Sequence, residues 1–186
     1  AVAAHLSTRG KNIAPQEFSR VLREYLDDDS AGDFLFLIDS ACRSAEQGES
    51  VTAFAEAIGS RNGISGYMYH TVPCVIHAWL RHQKDYAAGG KEIIEAGGDA
   101  DTTAAILGGI LGAGLGREGI PERRLSRMIE WPRSVAWIEK LATATGKALA
   151  GDTTVRSPRY FAPGLLVRNA LFLVIVLMHG LRRLFP

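Results

Sequence analysis

The chain has 186 residues, 47% of them apolar, and its 21 Lys and Arg against 20 Asp and Glu give a formal net charge of +1. This length suits one domain with a sizeable core, and the balanced charge lacks the basic surplus typical of nucleic-acid binding. The two cysteines, Cys42 and Cys74, lie in apolar segments, so we expect buried free thiols, which fits a cytoplasmic protein.

Helical periodicity dominates the first half of the chain. After Pro15, apolar residues recur at the spacing of one helix face from Phe18 to Leu26, and Ser50 is placed to cap a helix that begins at Val51. The Asp27-Asp28-Asp29 triplet predicts a solvated turn rather than a metal site. Further helices are predicted over 34–45, 73–80 with Pro73 as the opening residue, and 86–96.

Three histidines, His70, His77 and His82, are spaced by seven and five residues. No cysteine or acid completes a recognised zinc spacing, and Pro73 is expected to interrupt the helix between the first two. We therefore favour packed or hydrogen-bonded histidines over zinc ligands.

Two glycines lead into an acidic helix start, Gly97-Gly98-Asp99-Ala100-Asp101-Thr102-Thr103. Side chains two residues apart on a continuous helix point to nearly opposite faces, so Asp99 and Asp101 can chelate one ion only if the chain enters the helix irregularly. With a turn at Gly98, both carboxylates and the Thr102 hydroxyl can converge on a cation, and such oxygen ligands favour Mg²⁺, Mn²⁺ or Ca²⁺ over zinc. On spacing alone, Asp99 could equally be only an N-cap and Asp101 only a first-turn acid.

Two other known motifs have the same aspartate spacing. An EF-hand loop begins D-x-D, but Ala104 stands where its turn glycine belongs and Ile110 where its closing glutamate belongs. D-x-D-x-T also resembles the haloacid-dehalogenase phosphatases, whose first aspartate follows a buried strand. Residues 95–98 contain no β-branched run that would form such a strand, so the phosphatase remains the less favoured alternative.

The segment behind the acids is apolar, and Gly108, Gly112 and Gly116 recur every four residues, which would let another backbone approach closely. Gly114-x-Gly116-x-x-Gly119 lacks the preceding strand of a dinucleotide loop, so we interpret it as helix packing and helix exit. Pro121 starts the next helix, and two more helices are predicted over 125–129 and 135–149.

Residues 150–163 have the composition of a surface loop, and an apolar segment from Leu165 to Leu184 follows. Its uninterrupted apolar core, Ala170 to Met178, is only nine residues long. A membrane span needs about 20 residues, so we predict a buried C-terminal helix, with tail anchoring in a membrane as the alternative. No segment alternates at period two, and the sequence predicts one all-α domain over 1–186.

Two segments together resemble the ADP-ribosylglycohydrolases, the family of the dinitrogenase reductase-activating glycohydrolases. Residues 97–103, the small-residue helix behind them and Gly119-Ile120-Pro121 are similar to the second metal-binding motif of that family. Upstream, Asn62-Gly63-Ile64-Ser65-Gly66-Tyr67-Met68-Tyr69-His70-Thr71-Val72-Pro73 resembles the family segment beside the bound ADP-ribose. The resemblance is most specific over residues 62–121.

The resemblance implies an orthogonal multi-helix bundle that hydrolyses the glycosidic bond of ADP-ribosylated protein side chains or related ADP-ribosyl compounds. It implies a pair of Mg²⁺ ions, with Mn²⁺ as a substitute, held in part by Asp99, Asp101 and Thr102. Tyr67 or Tyr69 could stack on adenine or ribose, or could simply pack in the core. The substrate-binding residues that it implies are Gly63, Ile64, Gly66, Tyr67, His70 and Gly98.

Family members also carry a Thr-Asp-Asp type motif, acidic catalytic candidates and a phosphate-binding loop in their N-terminal half, and this sequence contains none of them. We therefore expect the chain to be the C-terminal part of a longer protein whose other half supplies the catalytic residues, and to be inactive alone. A non-catalytic ADP-ribose-binding or structural relative is the alternative.

Overall fold

The structure, a computed structural model, describes residues 1–26, 28–159 and 161–184, and at residues 28 and 29 it describes the backbone alone. All regular elements in these ranges are helices, which account for 69% of the chain, so the predicted all-α class is confirmed. The helices are α1 Val2–Ser7, α2 Pro15–Arg23, α3 Asp28–Glu46, α4 Val51–Ala57, α5 Met68–Arg81, α6 Tyr86–Glu95, α7 Ala100–Leu115, α8 Glu122–Ser126, α9 Val135–Leu149 and α10 Ala162–Leu184, with a 3₁₀ turn at Arg117–Gly119.

Local signals in the sequence placed several helix ends correctly. The Ser50 hydroxyl accepts a hydrogen bond from the Ala53 N–H at 3.1 Å, as the predicted cap of α4 requires. Helix α9 has the predicted bounds, and α6 ends one residue earlier than predicted. The prediction for the acidic triplet is wrong in part. Helix α3 begins at Asp28, so Asp28 and Asp29 start a helix instead of forming a turn. Asp27 lies outside the described residues.

The prediction that Pro73 opens a helix is wrong. Helix α5 begins at Met68, and Pro73 lies inside it. The proline ring removes only the N–H that would bond to the carbonyl of residue 69, and the packing of α5 offsets this loss. Most of α5 from Thr71 to Trp79 is buried, so the helix is covered on all sides.

By its internal packing the chain forms two compact units, Ala1–Pro121 and Glu122–Pro186. In the first unit, α5 is the central helix and packs against α3, α4, α6 and α7, while α1 also covers α7. Phe18 of α2 meets Trp79 of α5 edge-on, with ring centroids 5.4 Å apart. The core of this unit therefore surrounds α5 and holds the N-terminal ends of α5 and α7 in fixed positions.

A buried polar cluster lies beside α5. The His77 ring is fully buried, stacks on Phe54 at 5.0 Å, and its Nε2 lies 3.1 Å from the Ser44 hydroxyl, which also bonds Glu49. Burial, together with the nearby Arg81 guanidinium, lowers the pKa of His77 from 6.5 to about 4. The imidazole is therefore neutral in the folded protein near neutral pH.

The second unit contains α8, α9 and α10, and Gly164 is its one buried residue among 122–159 and 161–184. The prediction of a buried C-terminal helix is wrong for this chain, since the large apolar side chains of α10 are exposed. Burial needs a complementary apolar surface, and neither α8 nor α9 contains a buried residue. Residues 150–159 contain no regular element, and α10 begins at Ala162, inside the predicted loop of 150–163.

Candidate metal site

A short backbone bridge joins the two segments that the sequence analysis singled out. Ile64 and Gly98 form an isolated parallel bridge, in which the Ile64 N–H donates to the Gly97 carbonyl at 3.1 Å and the Asp99 N–H donates to the Ile64 carbonyl at 2.7 Å. Ile64 is fully buried and anchors this crossing in the core. Ile64 and Gly98, 34 positions apart in the sequence, are thereby fixed side by side.

Glycine is required on both sides of the bridge. Gly63 and Gly98 have φ values of +95° and +76°. A Cβ at Gly98 would lie 2.2 Å from the Ile64 carbonyl oxygen, and one at Gly63 would lie 2.3 Å from the Gly98 nitrogen. These neighbours are backbone atoms, so a side chain at either glycine would force the two backbone segments apart.

The bridge leaves the Asp99 side chain free of the capping role. Asp99 occupies the N-cap position of α7 with φ −78° and ψ 59°, yet its side chain makes no capping hydrogen bond. Its carbonyl, instead, accepts from the Thr103 N–H and hydroxyl, each at 3.1 Å. The competing interpretation is thus right about the positions of Asp99 at the N-cap and Asp101 in the first turn, but the side-chain capping bond that it expected from Asp99 is not formed.

The Asp101 carboxyl lies within hydrogen-bonding reach of the Asp99 side chain. A side-chain hydrogen bond with Asp99, supported by the backbone N–H groups of Asp101 and Thr102, lowers the pKa of the Asp101 carboxyl. Asp101 and Thr102 are exposed in the first turn of α7, and Asp99 is half-buried behind them. The irregular helix entry at Gly98 thus overcomes the divergence that two-residue spacing gives on a regular helix.

This donor set fits a hard divalent cation in chemistry but not in number. Two carboxylates and a neighbouring hydroxyl are the oxygen ligands that Mg²⁺ and Mn²⁺ take. Space beside them depends on Gly66, because a Cβ there would lie 2.9 Å from the Asp99 Oδ2. Within the described parts of the chain, no three His, Cys, Asp or Glu side chains gather as a metal site. Asp99, Asp101 and Thr102 therefore do not make up a complete metal site by themselves.

An aromatic surface continues from Gly66. The Tyr67 ring is exposed, stacks on Tyr69 with centroids 5.4 Å apart, and meets the His70 ring edge-on at 5.5 Å. The Ser65 hydroxyl lies 2.8 Å from His70 Nδ1 and accepts the Tyr67 N–H at 3.3 Å. Of the predicted substrate-binding residues, Gly66, Tyr67 and Gly98 are exposed and His70 is half-buried, whereas Ile64 is fully buried beneath them.

Ser65 was part of the segment 62–73 in the sequence analysis, but it was not identified there as a residue with a role of its own. Its hydroxyl organises the start of α5, and its carbonyl accepts from the Thr71 hydroxyl at 2.8 Å. A serine three residues before the first helical residue, Met68, is a signal for such a local turn. Ser65 thus fixes the orientation of His70 and the backbone of Tyr67.

The other motif assignments find no support in the local structure. Residues before Asp99 form α6 and a turn, so the buried strand of a D-x-D-x-T phosphatase is absent at this position. His70 and His77 do share α5, but His70 bonds Ser65 at the surface whereas His77 is buried against Phe54. These two histidines therefore cannot ligate one zinc ion.

Comparison with known proteins gives a family. The ADP-ribosylglycohydrolase family model matches residues 1–158, which include both bridged segments. No curated protein and no solved structure shows a significant match to the chain. Because the match covers most of the sequence and spans α1 to α9, the chain belongs to the ADP-ribosylglycohydrolase family, a family of glycoside-hydrolysing enzymes.

Proposed function

We propose that this chain carries one half of a divalent-metal site for the hydrolysis of ADP-ribosyl glycosidic bonds, with Asp99, Asp101 and Thr102 as ligands. The observation that carries the proposal is the bridge between Ile64 and Gly98, since it sets the acids of α7 beside the aromatic start of α5. The family supplies the reaction class.

The residues of the site would have separate roles. Asp99 and Asp101 would hold a cation from the protein side, and neither would act as general acid or base. A bound divalent cation would orient ribose hydroxyls and stabilise the charge that develops as the glycosidic bond breaks. The exposed face of Tyr67 offers a stacking surface for adenine or ribose, and His70, oriented by Ser65, offers a ring N–H or acceptor to the same ligand.

The number of metal ligands in this chain indicates which groups other residues would supply. Mg²⁺ takes six oxygen ligands, and Asp99, Asp101 and Thr102 would supply three for one ion of the pair that the family resemblance implies. Further acidic ligands and the group that activates water would come from residues outside this chain. We therefore propose that the chain alone is inactive, and that activity requires those residues.

Metal binding by the chain itself tests the first half of this proposal. Titration with Mn²⁺, followed by the electron paramagnetic resonance signal of the free ion, is expected to show weak binding that Asp101→Asn reduces by about tenfold, since a charged ligand is lost. Asp152→Asn is the matched control, because Asp152 is an exposed aspartate bonded to Thr154 rather than to a second acid. Equal Mn²⁺ binding by both variants would remove Asp101 from the ligand set.

Turnover tests the second half. Expression of this chain together with the residues encoded upstream of it is expected to give Mg²⁺-dependent release of ADP-ribose from ADP-ribosylated arginine or serine, and Asp101→Asn is expected to abolish it. Metal-independent binding of ADP-ribose without turnover would instead identify a non-catalytic binding relative. Which modified side chain is cleaved follows from comparing the two substrates.

A further inference from the structure

The apolar surface of α10 is exposed all the way round. Eight consecutive side chains, Leu171 to Met178, have exposed fractions between 49% and 64%. Among the described residues, α10 is the one helix whose length and composition would allow it to cross a membrane. Apolar surface on every face of a helix is unfavourable in water, so α10 would be more stable in surroundings that cover all of its faces.

The pattern of α10 distinguishes lipid from a single docking surface on a protein. A helix that docks on one protein surface, or lies flat in a membrane interface, has a polar face opposite its apolar one. Between Asn169 and His179, α10 has no polar residue on any face. Hydrocarbon chains of lipids surround a helix on all sides, so they match this pattern where a single helix groove would not.

The two ends of α10 carry the residues that favour membrane interfaces. At its start, Trp131 and Phe161 pack at 6.1 Å against each other and both contact the position of Gly164. At its end, Arg182 and Arg183 follow the apolar segment. Aromatic and basic side chains are enriched at the headgroup level, where arginines also extend toward the phosphates.

Arg168 lies nearly two turns from the start of α10, and its charge is balanced. Its guanidinium bonds the Glu130 carboxylate at 2.9 Å and lies 5.6 Å from the centre of the Phe172 ring. The charge-free segment from Asn169 to Leu181 is about 20 Å long at 1.5 Å per residue. If the side chains of Arg168 and Arg182 extend outward along the helix axis, the length that can lie in lipid approaches the roughly 30 Å of bilayer hydrocarbon.

Charge complementarity specifies the lipid. The unit Glu122–Pro186 contains eleven Lys and Arg against four Asp and Glu, a formal charge of +7, whereas Ala1–Pro121 contains ten against sixteen, or −6. The net charge of the whole chain is therefore near zero, although the unit that contains α10 is strongly basic. Basic segments beside an inserted helix gain about 1 kcal/mol for each Lys or Arg near an anionic membrane surface.

We propose that the unit Glu122–Pro186 binds an anionic phospholipid bilayer by inserting α10, with Asn169 to Leu181 in the hydrocarbon. The family match ends at residue 158, so α10 lies beyond the segment that defines the hydrolase family. Membrane attachment is thus separate from the proposed metal site, and either can fail without the other.

Vesicle flotation of the full chain tests the proposal. The chain is expected to float with vesicles of equal parts phosphatidylcholine and phosphatidylglycerol, to bind pure phosphatidylcholine more weakly, and to stay bound after a high-salt wash. Val174→Asp, at the middle of the apolar segment, is expected to lower partitioning about a hundredfold. Leu149→Asp is the matched control, since Leu149 is 85% exposed at the end of α9 and outside the insertion.

Fluorescence gives a second measurement. Cys42 and Cys74 are buried and their thiol pKa values are raised to about 12, so a thiol-specific, polarity-sensitive dye should label Leu173→Cys selectively. Its emission is expected to shift to the blue when the anionic vesicles are added. Failure of the chain to float, full release by salt, or unchanged flotation of Val174→Asp would each overturn the proposal. A blue shift that depends on protein concentration without vesicles would show that a second copy covers α10, and would overturn it as well.

Discussion

Replacement of Gly98 by alanine is the sharpest test of how the site is built. Gly98 has φ +76°, a conformation that costs a non-glycine residue about 1–2 kcal/mol. In addition, the new Cβ would lie 2.2 Å from the Ile64 carbonyl oxygen and 2.5 Å from its nitrogen. These atoms make the two hydrogen bonds of the bridge, each worth about 0.5–1.5 kcal/mol. The expected loss of stability is therefore about 2–5 kcal/mol.

Gly97→Ala separates the two causes. Gly97 has nearly the same φ, +71°, but a Cβ there would meet only the Gly63 Cα, at 3.9 Å. This variant is expected to lose only the conformational cost of about 1–2 kcal/mol. The difference between the two variants then measures the close approach of the backbones.

Native-state hydrogen exchange is the suitable assay, because a chain of two compact units need not unfold in one step. The N–H groups of Ile64 and Asp99, which form the bridge, are expected to lose protection in Gly98→Ala and to keep most of it in Gly97→Ala. If the two variants exchange alike, the bridge does not depend on the absence of a side chain at Gly98, and our account of the helix entry is refuted.

Two further predictions concern buried groups. The folded pKa of His77, about 4, lies below its unfolded value of 6.5, so the unfolded state binds a proton first as the pH falls. The contribution of His77 to the free energy of unfolding is expected to be constant above pH 6.5 and to decrease by about 3 kcal/mol between pH 6.5 and pH 4, as urea titrations of the unsubstituted chain and His77→Gln at stepped pH would show. Cys42 and Cys74, with pKa values raised to about 12 by burial, are expected to resist alkylation at pH 8 until the chain unfolds, as a mass-spectrometric time course would show.

The outcomes that would contradict these two predictions are distinct. A His77→Gln variant that keeps the same pH dependence as the unsubstituted chain would assign the loss of stability to other groups. Modification of either thiol within the dead time, with the far-ultraviolet circular dichroism unchanged, would show that it is accessible in the folded state.

Much of the fold follows from the sequence because helices are locally encoded. Ser50 caps α4 and the apolar period of 135–149 gives α9, since both signals act within one or two turns of the chain. Two adjacent glycines also indicated an irregular entry to α7, and Gly97 and Gly98 both have positive φ values. These inferences needed no long-range contact.

Only the tertiary structure decided the rest. Pro73 lies inside α5 because surrounding helices stabilise α5 more than one lost hydrogen bond weakens it, and local propensity does not contain that balance. The crossing of Ile64 with Gly98 depends on how α5 and α7 pack, so the sequence indicated the two segments but not their hydrogen bonds. For α10 the sequence determined a long apolar helix, while its exposure depends on whether another surface of the chain covers it.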